Sequence, residues 1–179
     1  MKKSMITLII AMMILSLSLF AENSFNDTMN KITVEYLKIK DSLASDKIEM
    51  VRENSKVILE LAKRLEVNDV MDDNKDHFQK LPDKISIAAE DLSKAVDIKT
   101  MRSVFKELSK PMAMWATMVK PSGINVAYCS MAPGSWLQTG DEIRNPYYGF
   151  SMLKCGEIVS VGEEKKDHHV CDESCDHSK

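Results

Sequence analysis

From Phe25 to Val119 the apolar residues recur at intervals of three and four, the period of helices that bury one face. Met29, Ile32, Tyr36, Ile39 and Leu43 form the first stripe, with Asn26 or Asp27 as its N-cap. Ile48, Val51, Ser55, Ile58, Ala62 and Leu65 form the second, with Ser45 or Asp46 as cap and Glu49 near the third helical position. Residues 66–80 turn polar through Asp72-Asp73-Asn74-Lys75-Asp76 and read as a loop. Pro82-Asp83 opens a third helix with Ile85, Ala88, Leu92 and Ala95 inward. The fourth stripe is the longest: Ile98, Met101, Phe105, Leu108, Met112, Trp115 and Val119. Pro111 lies inside it and should kink or split that helix, because proline lacks the amide proton and clashes with the preceding turn. Short connections between such helices predict an antiparallel arrangement.

After Pro121-Ser122-Gly123 the helical period stops, and turn residues, aromatics and sulfur take over. The fold expected is therefore mainly α: a four-helix up-down bundle over 22–120, a small turn-rich sulfur-containing segment over 121–162, and a flexible tail over 163–179. The first 21 residues read as a secretory signal peptide. Lys2 and Lys3 precede the apolar run Met5–Phe20, and Ala21 stands before polar Glu22-Asn23-Ser24. That run falls short of the roughly 20 residues of a membrane span. A periplasmic location with no membrane span after cleavage follows, and such a compartment oxidises thiols.

Composition changes the picture at two points. A net charge of −3 lacks the basic footprint of a nucleic-acid binder. All four Cys, and every His except His77, lie beyond residue 128, so the chemistry is concentrated at the C-terminal end. Nothing in the helical part reads as catalytic: it has no Ser/His/Asp arrangement and no glycine-rich phosphate loop. Met112, Met114 and Met118 read as packing, since thioethers fill irregular gaps, and His77 reads as a solvated loop residue.

Two sulfur pairs stand out, Cys129-Ser-Met131 and Met152-Leu-Lys-Cys155. Extended backbone would point Cys129 and Met131 to one side, and a helical turn would place Met152 and Cys155 on one face. Two thiolates and two thioethers select a soft ion such as Cu(I), with Ag(I) as its mimic, over oxygen-seeking Mg(II) or Ca(II). The same spacing suits a Cys129–Cys155 disulfide with Met131 and Met152 as packing, and residue types alone leave both readings open. Asn145-Pro146 and Gly149 are turn chemistry that would bring the second pair towards the first. Arg144, Asp141 and Glu142 read as solvated or capping, and Trp136 as cover for the sulfurs.

Tyr128-Cys129-Ser-Met131, Trp136-Leu137, Glu142-Ile-Arg-Asn145-Pro146-Tyr147-Tyr148-Gly149 and Met152-Leu-Lys-Cys155-Gly156 together resemble a bacterial domain family of uncharacterised function. Members occur as small exported proteins and fused to periplasmic adaptor subunits of copper/silver-type resistance-nodulation-division efflux systems. Their signature is Cys-Pro-Met … Asn-Pro-Tyr-x-Gly … Met-Leu-x-Cys-Gly, and Ser130 stands here in place of the usual Pro. The resemblance implies copper or silver handling, with the family's sulfur residues falling on Cys129, Met131, Met152 and Cys155. It also implies a partner, the adaptor or pump of a heavy-metal efflux system.

The tail adds His168, His169, Cys171, Cys175 and His177, a tract able to capture copper or zinc with little geometric selectivity. Its Cys-x-x-x-Cys spacing differs from the redox Cys-x-x-Cys. The expectation is a non-enzymatic, exported protein binding, buffering or delivering Cu(I)/Ag(I). The competing expectation is a disulfide-stapled structural or protein-interaction module with no metal role.

Overall fold

A computed structural model describes residues 25–67 and 76–162. The signal-peptide reading of 1–21, the centre of the polar 66–80 stretch and the tail ligands His168, His169, Cys171, Cys175 and His177 lie outside the described residues. Among the described residues the chain is mainly helical: α1 (Phe25–Ala44), α2 (Val51–Ala62), α3 (Leu81–Lys94) and α4 (Ile98–Val119). A three-stranded antiparallel sheet follows, built from β1 (Asn125–Cys129), β2 (Gly134–Gln138) and β3 (Glu157–Ser160) in the order β2-β1-β3.

The helical stripes form the core. In α1, Met29, Ile32, Tyr36, Ile39 and Leu43 are all buried, and Tyr36 stacks on Phe105 of α4 with ring centres 4.8 Å apart. Ile58 and Ala62 of α2, Ile85, Ala89 and Leu92 of α3, and Met101, Leu108, Met112 and Trp115 of α4 complete it. Consecutive helices pack on one another, whereas α1 and α4 meet only narrowly and β2 packs against both. The helices and the sheet share one core, to which Val126, Ala127, Cys129, Trp136 and Leu137 contribute.

Several expectations need correction. Asn26 and Asp27 lie inside α1 rather than before it. Asp46 does not cap α2: its backbone is left-handed (φ 55°), and α2 begins only at Val51 without a side-chain cap. Ile48 and Glu49 precede that helix, where Glu49 accepts from the Ile48 amide at 3.1 Å. Residues 76–78 are helical rather than loop, and Phe78 is buried in a stack on Phe25, with centres 5.6 Å apart. Pro111 does not split α4, which runs unbroken from Asp97, its cap, to left-handed Lys120. The missing amide and the clash at Pro111 cost on the order of 3 kcal/mol. Buried Phe105 and Leu108 on one side, and Met112 and Trp115 on the other, hold both halves against the same core and outweigh that cost.

The largest correction concerns 121–162, which holds a sheet and not turns alone. Its strands are four or five residues long, and in β1 and β2 buried positions run together (Asn125, Val126 and Ala127; Trp136, Leu137 and Gln138) instead of alternating. The two-residue period that betrays a half-exposed strand is absent there, and β3, which does alternate, carries it over four residues alone.

Candidate metal centre

Cys129 ends β1 opposite Gly134 of β2 and is fully buried. Cys155 follows a turn of 3-10 helix (Gly149–Met152) and lies just before β3, half-buried. Although 26 residues separate them, their Sγ atoms lie 3.1 Å apart in a thiol–thiol contact, with both cysteines free. Burial pushes the Cys129 thiol up, but hydrogen bonds from Cys155, from the Ala132 and Met131 amides and from Asn145 outweigh it and leave Cys129 below the ordinary thiol value. The Ala132 N–H to Cys129 Sγ distance is 3.4 Å. The hydrogen bond with Cys129 holds Cys155 above the ordinary thiol value, with burial adding to the effect. The two sulfurs thus form one hydrogen-bonded pair.

Asn145 brings Cys155 there. Its side chain is buried and accepts from the Tyr147 amide through Oδ1 at 2.8 Å while Nδ2 donates to the Cys155 carbonyl at 2.8 Å. Its backbone N–H donates to the Leu153 carbonyl at 2.7 Å, and its carbonyl accepts from the Gly149 amide at 3.2 Å. Every polar atom of the residue serves to fold 145–155 back on itself. Pro146 fixes the entry to this corner, and Gly149 occupies a left-handed conformation (φ 57°) where a side chain would collide with Asp46 and Arg102.

Arg102 of α4 fastens the corner to the helices. Its Nη2 donates to the Leu43 carbonyl at 2.8 Å and pairs with Asp46, while Nε donates to the Pro146 carbonyl at 3.1 Å. Asp46 Oδ2 accepts from the Phe150 amide at 3.2 Å. The hydrogen bond from Arg102 holds the Asp46 carboxyl below the usual carboxylate value against the opposing effect of burial. Arg144, expected as solvated or capping, donates to Ser45 Oγ at 3.2 Å. On the other side, buried Tyr36 hydrogen-bonds Ser109 at 2.6 Å and accepts from the Leu137 amide at 3.2 Å, tying α1, α4 and β2 together. Trp136 is buried; it packs over Gly156, beside Cys155, meets Tyr147 edge-on at 5.7 Å, and donates from Nε1 to Gln138 at 3.0 Å.

The methionines are placed differently from the expectation. Met131 lies in the turn after β1 rather than in extended backbone, so the same-side argument fails: Cys129 is 0% exposed and Met131 65%. The Met131 carbonyl accepts from the Tyr148 hydroxyl at 3.4 Å, and the residue lines a groove of about 450 Å³ with Lys99, Arg102, Lys106 and Tyr148. Met152 closes the 3-10 turn, half-buried, and its carbonyl accepts from the Cys155 amide at 3.0 Å, which keeps that pair within one turn. His77 is exposed. The structure therefore joins the two cysteines directly and sets a methionine on the turn beside each.

These donors suit a soft ion in kind. Two thiols meet, and among the described residues no group of three or more His, Cys, Asp or Glu is placed to hold a metal. With metal–sulfur bonds near 2.3 Å, an ion between two thiolates needs its sulfurs about 3.8–4.6 Å apart. The present 3.1 Å would have to widen to admit one. Among the described residues no helix is long and apolar enough to cross a membrane.

Sequence reasoning passed over Arg102, read Asp46 as a helix cap and Tyr36 as part of an apolar stripe, and read Asn145 only as a turn former.

Neither a curated protein nor a solved structure matches the chain. A family match covers residues 32–123, from within α1 to the turn after α4, and stops short of the strands and both site cysteines. With just over half of its length matched, the chain belongs to the family described as protein of unknown function (DUF3347).

Proposed function

We propose that this is a non-enzymatic, exported soft-metal-binding protein that takes Cu(I), or Ag(I) as its mimic, as cargo for buffering or delivery linked to metal efflux. The observation that carries the reading is the meeting of Cys129 and Cys155 at 3.1 Å, each with a methionine on the adjoining turn. A thiol pair flanked by thioethers discriminates by softness, and Met131 and Met152 would complete the ligand set. The helices, taken as an up-and-down bundle, serve as the platform, and His168, His169, Cys171, Cys175 and His177 act as a secondary capture tract that also accepts zinc. The adaptor or pump of a heavy-metal efflux system is the partner this reading calls for, in the periplasm, on the strength of the sequence resemblance.

The test is a Cu(I) titration of the reduced protein ending at Gly162, against a competing chelator, with Zn(II) in parallel. That end point removes none of the described elements. The expected result is one Cu(I) per chain and little Zn(II), with Cys129→Ser or Cys155→Ser weakening Cu(I) by about 100-fold or more while helical circular dichroism is retained. Indifference of this protein to Cu(I) would sink the reading. The 3.1 Å thiol contact equally favours the second reading, a disulfide-stapled interaction module, in which the same substitutions loosen 121–162 and change no metal response.

A further inference from the structure

The resting thiol pair lies between two incompatible geometries. A disulfide needs its sulfurs at about 2.05 Å, closer by roughly 1 Å than the 3.1 Å found. A bridging metal needs them farther apart, at about 3.8–4.6 Å. The backbone on both sides is held: Cys129 pairs with Gly134, while Cys155 is fixed through its carbonyl by Asn145 and through its amide by Met152. Small side-chain rotations thus separate the three states, and closing one sulfur pair excludes the other partner.

We infer that Cys129 and Cys155 form a reversible dithiol–disulfide couple whose oxidation closes the metal site and whose reduction opens it. The inference rests on the soft-metal reading above. It differs from a permanent staple in requiring that the bond form and break in the folded chain.

The oxidant is a small-molecule disulfide, R–S–S–R. Cys155, half-buried where Cys129 is enclosed, is the thiol such a molecule reaches. It attacks one sulfur of the molecule as its own proton passes to the departing group, forming a mixed disulfide and releasing RSH. Cys129, 3.1 Å away, then attacks Cys155 Sγ. The mixed disulfide breaks, the protein disulfide forms and the second RS⁻ leaves with the Cys129 proton as RSH. Two electrons and both thiol protons have passed to R–S–S–R, which departs as two RSH.

The test uses the full chain carrying Cys171→Ser and Cys175→Ser, so that only this pair can react. The reduced protein is equilibrated in graded mixtures of reduced and oxidised glutathione, alkylated with iodoacetamide and weighed intact. Both alkylation sites should vanish together at one midpoint in a monomeric chain, and reappear on return to reduced glutathione. Adding Cys129→Ser should instead accumulate a glutathione adduct on Cys155, whereas adding Cys155→Ser should leave enclosed Cys129 largely unmodified. One equivalent of Ag(I) added first should slow loss of the thiols by about tenfold or more, because the metal stabilises the state that cannot bond sulfur to sulfur. Thiols lost independently, a lasting glutathione adduct on the unsubstituted pair or disulfide-linked dimers would overturn the couple; if Ag(I) still binds in that case, the metal reading survives it. Joint oxidation that Ag(I) neither binds nor slows would overturn the gating and the metal reading together.

Discussion

Asn145 shows how much one buried polar side chain can organise. It satisfies the Tyr147 amide and the Cys155 carbonyl at once, both at 2.8 Å. Asn145→Ala would strand both groups inside the fold, at about 1–3 kcal/mol for the set. A urea melt of the variant should show that loss, with the thiol pair alkylated faster because Cys155 is no longer positioned. Asn145→Asp is the informative companion, since it keeps the acceptor for Tyr147 and loses the donor to Cys155. Residue types alone exposed the four sulfurs as candidates, because Cys and Met carry their chemistry in their names. Asn145 gave no such signal, and its weight comes from being buried while it bonds the Tyr147 amide and the Cys155 carbonyl.

At the scale of elements, the four helices were legible because a one-sided helix must repeat apolar residues at three and four, and each does. Their ends were less so. Ser45 and Asp46 have the chemistry of a cap, yet Asp46 is drawn into the ion pair with Arg102 and α2 starts without a side-chain cap. At α4, by contrast, Asp97 accepts from the Thr100 amide at 2.9 Å and from its hydroxyl at 2.7 Å. Asp97→Ala should lower stability by about 1 kcal/mol, read as a fall in melting temperature, with Asp97→Asn recovering most of it. β1 and β2 were missed because short segments buried on both faces lack the alternation that marks a sheet, and β3 because its alternation spans only four residues. That Pro111 does not split α4 was hidden for a related reason: a local penalty was visible in the sequence, and the core contacts that outweigh it were not.

For the whole molecule, Arg102 joins the α1 terminus, α4 and the Asn145–Gly149 corner, so it couples the helical platform to the thiol segment. Arg102→Ala should cost about 1–3 kcal/mol and speed amide exchange at Gly149 and Phe150 more than in the centre of α1. The same contact carries a pH dependence. Asp46 is held below its ordinary value, so its stabilising contribution is complete above the unfolded carboxylate value of about 3.9 and is lost as pH falls through the lower folded one. Asp46→Asn should therefore flatten the acid limb of exchange at Phe150. Salt should do so partly, because the Asp46 side chain is 38% exposed. What is periodic or chemical in kind could be read from residue order: the helical faces, the break at Pro121 and the sulfur donors of the C-terminal segment. Which sulfurs meet is set by the folded chain. That choice depends on β1 pairing with β3 and on the Asn145 corner docking against Arg102, contacts between positions far apart in the chain that no local pattern of residues encodes.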